Sequence, residues 1–96
     1  VVVNPDEGRV KIGKTNAPGS RMYIHGLAGF TDLVWMSDEA PGYEVSAAEV
    51  AALAMVGVEP VRGREYFALS PTFLVADAVS VARQAFDEAT RQAKAA

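Results

Sequence analysis

The chain opens on β-branched residues, Val1 to Val3, which read as the end of a strand. A turn cluster follows, Asn4-Pro5-Asp6-Glu7-Gly8. From Arg9 to Thr15 polar and apolar residues begin by alternating, the period of a half-buried strand, and together these segments predict a β-hairpin. Asn16-Ala17-Pro18-Gly19-Ser20 breaks that pattern. Ser20 stands where it would cap a short helix running to about His25, with Gly26 and Gly29 ending the element. Thr31 to Met36 is mostly apolar, carries β-formers, and reads as a buried strand; Ser37 to Tyr43 is a polar loop. Ser46-Ala47-Ala48-Glu49 has the spacing of a capping box, and the Ala-, Leu- and Val-rich run behind it predicts a helix ending at Gly57. Glu59 to Arg64 is a turn and Glu65 to Leu69 a short strand. Ser70-Pro71 then reads as the N-cap and first residue of a helix reaching about Lys94. In that helix Val75, Val79, Ala82, Phe86 and Ala89 share one face. Trp35, Phe67, Phe73 and Phe86 are assigned to the core. The order strand, strand, helix, strand, helix, strand, helix predicts an α+β fold. It should be one domain over residues 1–96, with a small, mostly antiparallel sheet of about three to four strands flanked by about three helices.

Composition narrows the class. Half of the 96 residues are hydrophobic and 22% are charged, which suits a globular domain and not a disordered one. No cysteine is present, so disulfides and cysteine-based zinc sites are excluded, and a reducing, cytoplasmic setting is compatible. No apolar run approaches the roughly 18–20 residues of a membrane helix, so no membrane partner is expected. The first residues have neither the basic region nor the apolar core of a signal peptide and no initiator Met, consistent with a processed or excised piece of something longer. The net charge of −3 argues on its own against a nucleic-acid binder. The distribution tempers this. Arg9, Lys11, Lys14 and Arg21 occur in a stretch without acids, and residues 27–60 carry acids without bases. Such asymmetry can build a local basic face, although two ordinary solvated faces would look the same.

One motif is tempting. Gly8 to Thr15 fits the phosphate-binding pattern G-x-x-x-x-G-K-T. That loop must follow a buried strand and open a helix, whereas here its middle is itself a strand and Asn-Ala-Pro-Gly follows the Thr. The context argues against the nucleotide-binding reading.

Read as a strand, Val10-Lys11-Ile12-Gly13-Lys14-Thr15, a Pro-Gly turn and then Arg21 resemble the second half of the GIY-YIG nuclease signature, especially its phage-type branch, where Lys-Ile-Gly often stands for Tyr-Ile-Gly. Asn4-Pro5 with its Gly turn resembles that branch's hairpin. Val61-Arg62-Gly63-Arg64-Glu65-Tyr66-Phe67-Ala68-Leu69-Ser70-Pro71 resembles its closing strand and helix. The resemblance covers about residues 1–75 and rests on the order and spacing of these pieces. The chain departs from the pattern in three places. The first signature Tyr would fall just before Val1, Lys11 occupies the second Tyr position, and Ala52 and Leu53 stand where a His often follows the family's Glu.

The resemblance implies metal-dependent hydrolysis of a nucleic-acid phosphodiester, DNA more than RNA, with Arg21, His25 and Glu49 facing one shallow cleft. Glu49 would hold one Mg²⁺ or Mn²⁺ ion; its alternative is the capping box. Arg21 would grip phosphate with two prongs, or be a surface Arg. His25, one helical turn from Arg21, would move a proton near neutral pH, or simply end a helix. Lys11 would join the catalytic set and Lys14 would contact phosphate, both together only if the chain bends at Gly13; otherwise they are solvated strand charges. Arg62 and Arg64 would hold the backbone, or belong to a polar turn. Tyr23 is a substitute for the missing Tyr or, more simply, a packed aromatic. The competing function is a catalytically inactive GIY-YIG-like module that binds nucleic acid or protein. An unrelated interaction domain is the third reading.

Overall fold

The computed structural model describes residues 1–15, 18–61, 63 and 65–95. The fold is α+β. Four short strands, β1 (Val2–Asn4), β2 (Arg9–Lys11), β3 (Asp32–Leu33) and β4 (Tyr66–Ala68), form one sheet in the order β3-β1-β2-β4. Every pairing is antiparallel. Helices α1 (Pro18–Leu27), α2 (Gly42–Met55) and α3 (Val75–Ala95) complete it. Among the described residues no helix is long and apolar enough to cross a membrane.

The hairpin β1–β2 is the centre of the sheet. Its register pairs Val3 with Val10, and β4 adds Phe67 opposite Val10. These three residues are buried on one face, with Ile12 continuing the column, and meet Ala52 of α2 and Ala78, Ala82 and Ala85 of α3. Small alanines on both helices allow α2 and α3 to pack closely over the strands. The opposite face carries Val2, Lys11 and Tyr66, and α1 is held there through its C-terminal end. Phe30, just beyond α1, stands edge-to-face on Tyr66 with ring centroids 5.5 Å apart.

The end of α1 explains that docking. Phe30 N–H bonds to the His25 carbonyl at 2.8 Å and Gly29 N–H to that of Gly26 at 3.1 Å. With Gly29 at φ +90°, these bonds make a Schellman cap. A Cβ on Gly29 would lie 2.7 Å from Nδ2 of Asn4, so the glycine is required twice, for its backbone angle and for its closeness to the hairpin.

Several boundaries differ from the sequence expectation. α1 begins at Pro18, which places Ser20 inside the helix and not at its cap. The third strand is only Asp32–Leu33, both exposed, although Val34 N–H still bonds to the Val1 carbonyl. α2 begins at Gly42 with Pro41 as its N-cap, so Ser46 and Glu49 lie within the helix and form no capping box. The Pro41 carbonyl accepts from Glu44 and Val45 instead, and Glu44 supplies the first-turn acid that suits the helix dipole. α2 also stops at Met55, short of Gly57. Ser70-Pro71 does not start α3. Ser70 and Phe73 exchange backbone bonds in a tight turn, and the helix starts at Val75 with Asp77 accepting from Leu74 N–H at 2.8 Å. This is half of a capping box placed four residues later than the serine suggested. The stripe that α3 buries is Ala78, Ala82 and Ala85. Val75, Val79, Phe86 and Ala89 are half-buried at its margin. Phe67 and Phe73 are core residues, while Trp35 and Phe86 are half-buried and stack edge-to-face at the core's border.

Candidate functional site

The charged residues of interest gather where β2 leaves the sheet. Lys11 ends β2, with its Nζ 3.6 Å from Oε2 of Glu65 and 5.5 Å from the centre of the Tyr66 ring. Ile12 N–H bonds to the Glu65 carbonyl at 3.0 Å and extends the β2–β4 ladder by one step. Gly13 then makes room: a Cβ there would lie 3.3 Å from Cε of Lys11 and 3.5 Å from Oε2 of Glu65. The lysine and the glutamate thus meet directly beside Gly13 at the end of the sheet. Lys14 turns toward α2 and donates from Nζ to Oγ of Ser46 at 2.7 Å. Ser46 lies three residues before Glu49 on α2, so the pair shares one helix face.

Glu49 is half-buried, and its carboxyl titrates above its ordinary 4.5. Burial is the largest cause; the charge of Glu65 and a hydrogen bond with it come next. Lys14 opposes the shift through its charge and its backbone N–H. The two glutamates therefore form an adjacent carboxylate pair with a lysine on each side. His25 lies at the other end of the cluster. Its imidazole is shifted down from 6.5, first by burial, then by the charges of Lys11 and Arg21, with Glu65 pulling the other way. It is held edge-to-face against Phe30, ring centroids 6.5 Å apart. Glu65 is thus the hinge of the arrangement, within electrostatic reach of His25, Lys11 and Glu49 alike.

Of the residues singled out from the sequence, Lys11, Lys14, Arg21, His25 and Glu49 fall into this neighbourhood. Arg62 and Arg64 lie outside the described residues. Tyr23 is 72% exposed on α1, so it is not a packed aromatic. The middle of Gly8 to Thr15 is strand β2, as the alternation predicted, and not a phosphate-cradling loop. Sequence reasoning passed over Glu65 as one residue of a strand. No local signal marks it: the strand pairing that sets it across the ladder from Ile12 brings it to Lys11. Chemically, the cluster offers two carboxylates for a cation, three basic side chains for an anion, and an imidazole biased toward its neutral form. Among the described residues no group of three or more His, Cys, Asp or Glu could hold a metal ion. No protein-family model, curated protein or solved structure matches the chain.

Proposed function

We propose that this chain is a metal-dependent nuclease domain of the GIY-YIG type, cutting a nucleic-acid phosphodiester. The observation that carries the reading is the pairing of Glu49 with Glu65 beside Lys14 and Lys11, in a cluster that also holds Arg21 and His25.

Two adjacent carboxylates fit a hard divalent cation. A pair suffices for Mg²⁺ or Mn²⁺, because Mg²⁺ keeps several waters and is commonly held by one or two carboxylates plus phosphate oxygens. Glu49, with Glu65 beside it, would hold that ion. When bound, it supplies Lewis-acid neutralisation of charge on the phosphate. The protein's own groups do the rest. Arg21 binds non-bridging phosphate oxygens in its planar fork, and Lys11 and Lys14 add point charges. Those positive charges meet the negative charge that grows as the phosphorane forms. His25, neutral at pH 7, accepts a proton at its free ring nitrogen from the attacking water. Its lowered affinity for protons keeps it in the accepting form at physiological pH. This proposal includes a nucleic-acid partner, DNA more than RNA, and a cytoplasmic setting.

The test is nicking of supercoiled plasmid by purified protein with Mg²⁺ or Mn²⁺, EDTA serving as the blank. Glu49→Gln should abolish nicking and leave the melting temperature nearly unchanged, since Glu49 is not the helix cap. Arg21→Lys should reduce it, because an ammonium lacks the two-pronged contact. Wild-type protein inert toward DNA and RNA with either metal would sink the enzyme and leave a binding module.

A further inference from the structure

The two lysines beside the carboxylate pair are held in different ways. Lys14 donates from Nζ to the neutral Oγ of Ser46 at 2.7 Å. Lys11 has a carboxylate for its partner. Its Nζ lies 3.6 Å from Oε2 of Glu65, too far for a hydrogen bond, so charge alone joins them. The Lys11 side chain is only 13% exposed, and its ammonium stands over the Tyr66 ring. Gly13 borders both Lys11 and Glu65. It also lines a cleft of about 50 Å³ together with Glu49 and Lys14, which sets the ion pair at the edge of that cleft. Glu65 thus has two charged neighbours of opposite effect: Lys11 neutralises it and Glu49 repels it.

We propose that Lys11 is a built-in counter-ion for Glu65 that a divalent cation displaces, so that the cation binds before Lys11 can meet an anionic ligand. The inference rests on the nuclease reading above, in which Glu49 and Glu65 take the ion and Lys11 contacts phosphate. Lys11 cannot do so in the conformation described, because it is engaged by Glu65 and nearly covered. Two adjacent carboxylates repel each other, and an ammonium beside them relieves that repulsion. A dication seated on the pair relieves it with twice the charge and occupies the same oxygen atoms. The two cations then repel each other across Oε2. Lys11 has no hydrogen bond to Glu65 to hold it and a flexible four-carbon stem on which to move, so the lysine is the partner that leaves. Lys14 has no such rivalry, since its donor contact is to Ser46. Off Glu65, the Lys11 ammonium is available to phosphate, and cation and anion binding become coupled in the favourable direction.

Two measurements on the whole chain test this. In wild-type protein the Lys11 Hε protons carry the shielding of the Tyr66 ring, and an NMR titration with Mg²⁺ should move them toward the ordinary lysine position. Manganese affinity, read from the free-ion EPR signal, should rise roughly fivefold in Lys11→Met, which keeps the stem over Tyr66 and removes the competing charge. Arg9→Met removes a charge two residues away that pairs with Glu7, and should leave the affinity within about twofold of wild type. Lys11 protons unmoved at saturating Mg²⁺ overturn the counter-ion role while leaving the nuclease standing, and they do so even if Lys11→Met folds poorly. Equal rises in Lys11→Met and Arg9→Met overturn it as well, by assigning the effect to overall charge. No binding of either ion by wild type or Lys11→Met, together with no metal-dependent nicking, brings down the nuclease reading and this inference with it.

Discussion

Gly26 and Gly29 are three residues apart, and alanine should act in opposite directions at the two. Gly29 sits at φ +90° with Nδ2 of Asn4 only 2.7 Å from where a Cβ would go. Alanine in the left-handed region costs about 1–2 kcal/mol. The methyl group must also displace Asn4, which is 3% exposed and whose Oδ1 accepts from Glu7 N–H at 3.1 Å. Losing that bond adds about 1 kcal/mol. The sum is about 2–3 kcal/mol, and at about 4–8 °C per kcal/mol for a domain of this size Gly29→Ala should melt about 10–20 °C below wild type. Gly26 lies inside α1, with nothing within 4 Å of its would-be Cβ. There alanine should gain about 0.5–1 kcal/mol of backbone entropy and raise the melt by several degrees. Far-UV circular dichroism on both variants, at one protein concentration, gives the comparison. A Gly29→Ala melt within a few degrees of wild type would refute the Schellman cap and the close packing of α1 on the hairpin.

Glu65→Gln removes the like charge beside Glu49, so the Glu49 carboxyl should move down toward its ordinary 4.5, as read by carbon-detected NMR titration; an unmoved value would assign the shift to burial alone. His25 binds its proton less tightly folded than unfolded, so the unfolded chain takes up more protons as pH falls through 6.5 and stability declines on acidification. Urea unfolding of wild type and His25→Gln at pH 7.5 and below should show that decline in wild type and a smaller one in the variant; parallel curves would contradict it.

The hairpin and sheet were legible because β-branched runs, a turn cluster and period-two alternation all pointed the same way. Helix starts were less so. Ser46 and Glu49 carry the spacing of a capping box, yet Pro41 and Glu44 start α2 a turn earlier, and Ser70 closes a local turn where a cap was expected. Serines and acids at suitable spacing bond to whichever backbone amide is near, and sequence does not say which. The buried stripe on α3 was displaced because alanine, not the larger Val79 or Phe86, fits where α2 and α3 approach closely. At the candidate site, Lys11, Lys14, Arg21, His25 and Glu49 could be named in advance. Their partner Glu65 could not, since it joins them only through a strand pairing that spans over fifty residues of chain.

That long-range pairing bears on how the protein is made. A ribosome delivers β1 and β2 before the other elements of this fold, and a lone two-stranded hairpin is marginal in water. The residues that cover its apolar face, Ala78, Ala82 and Ala85, belong to α3 and are synthesised after every strand of the sheet. β4, which flanks the hairpin, also arrives late. The nascent chain must carry Val3, Val10 and Ile12 uncovered until α3 emerges, and during that interval they are open to chaperones and to neighbouring chains. Folding of the hairpin is therefore tied to α3, and β1 and β2 wait for a helix translated after every strand of the sheet.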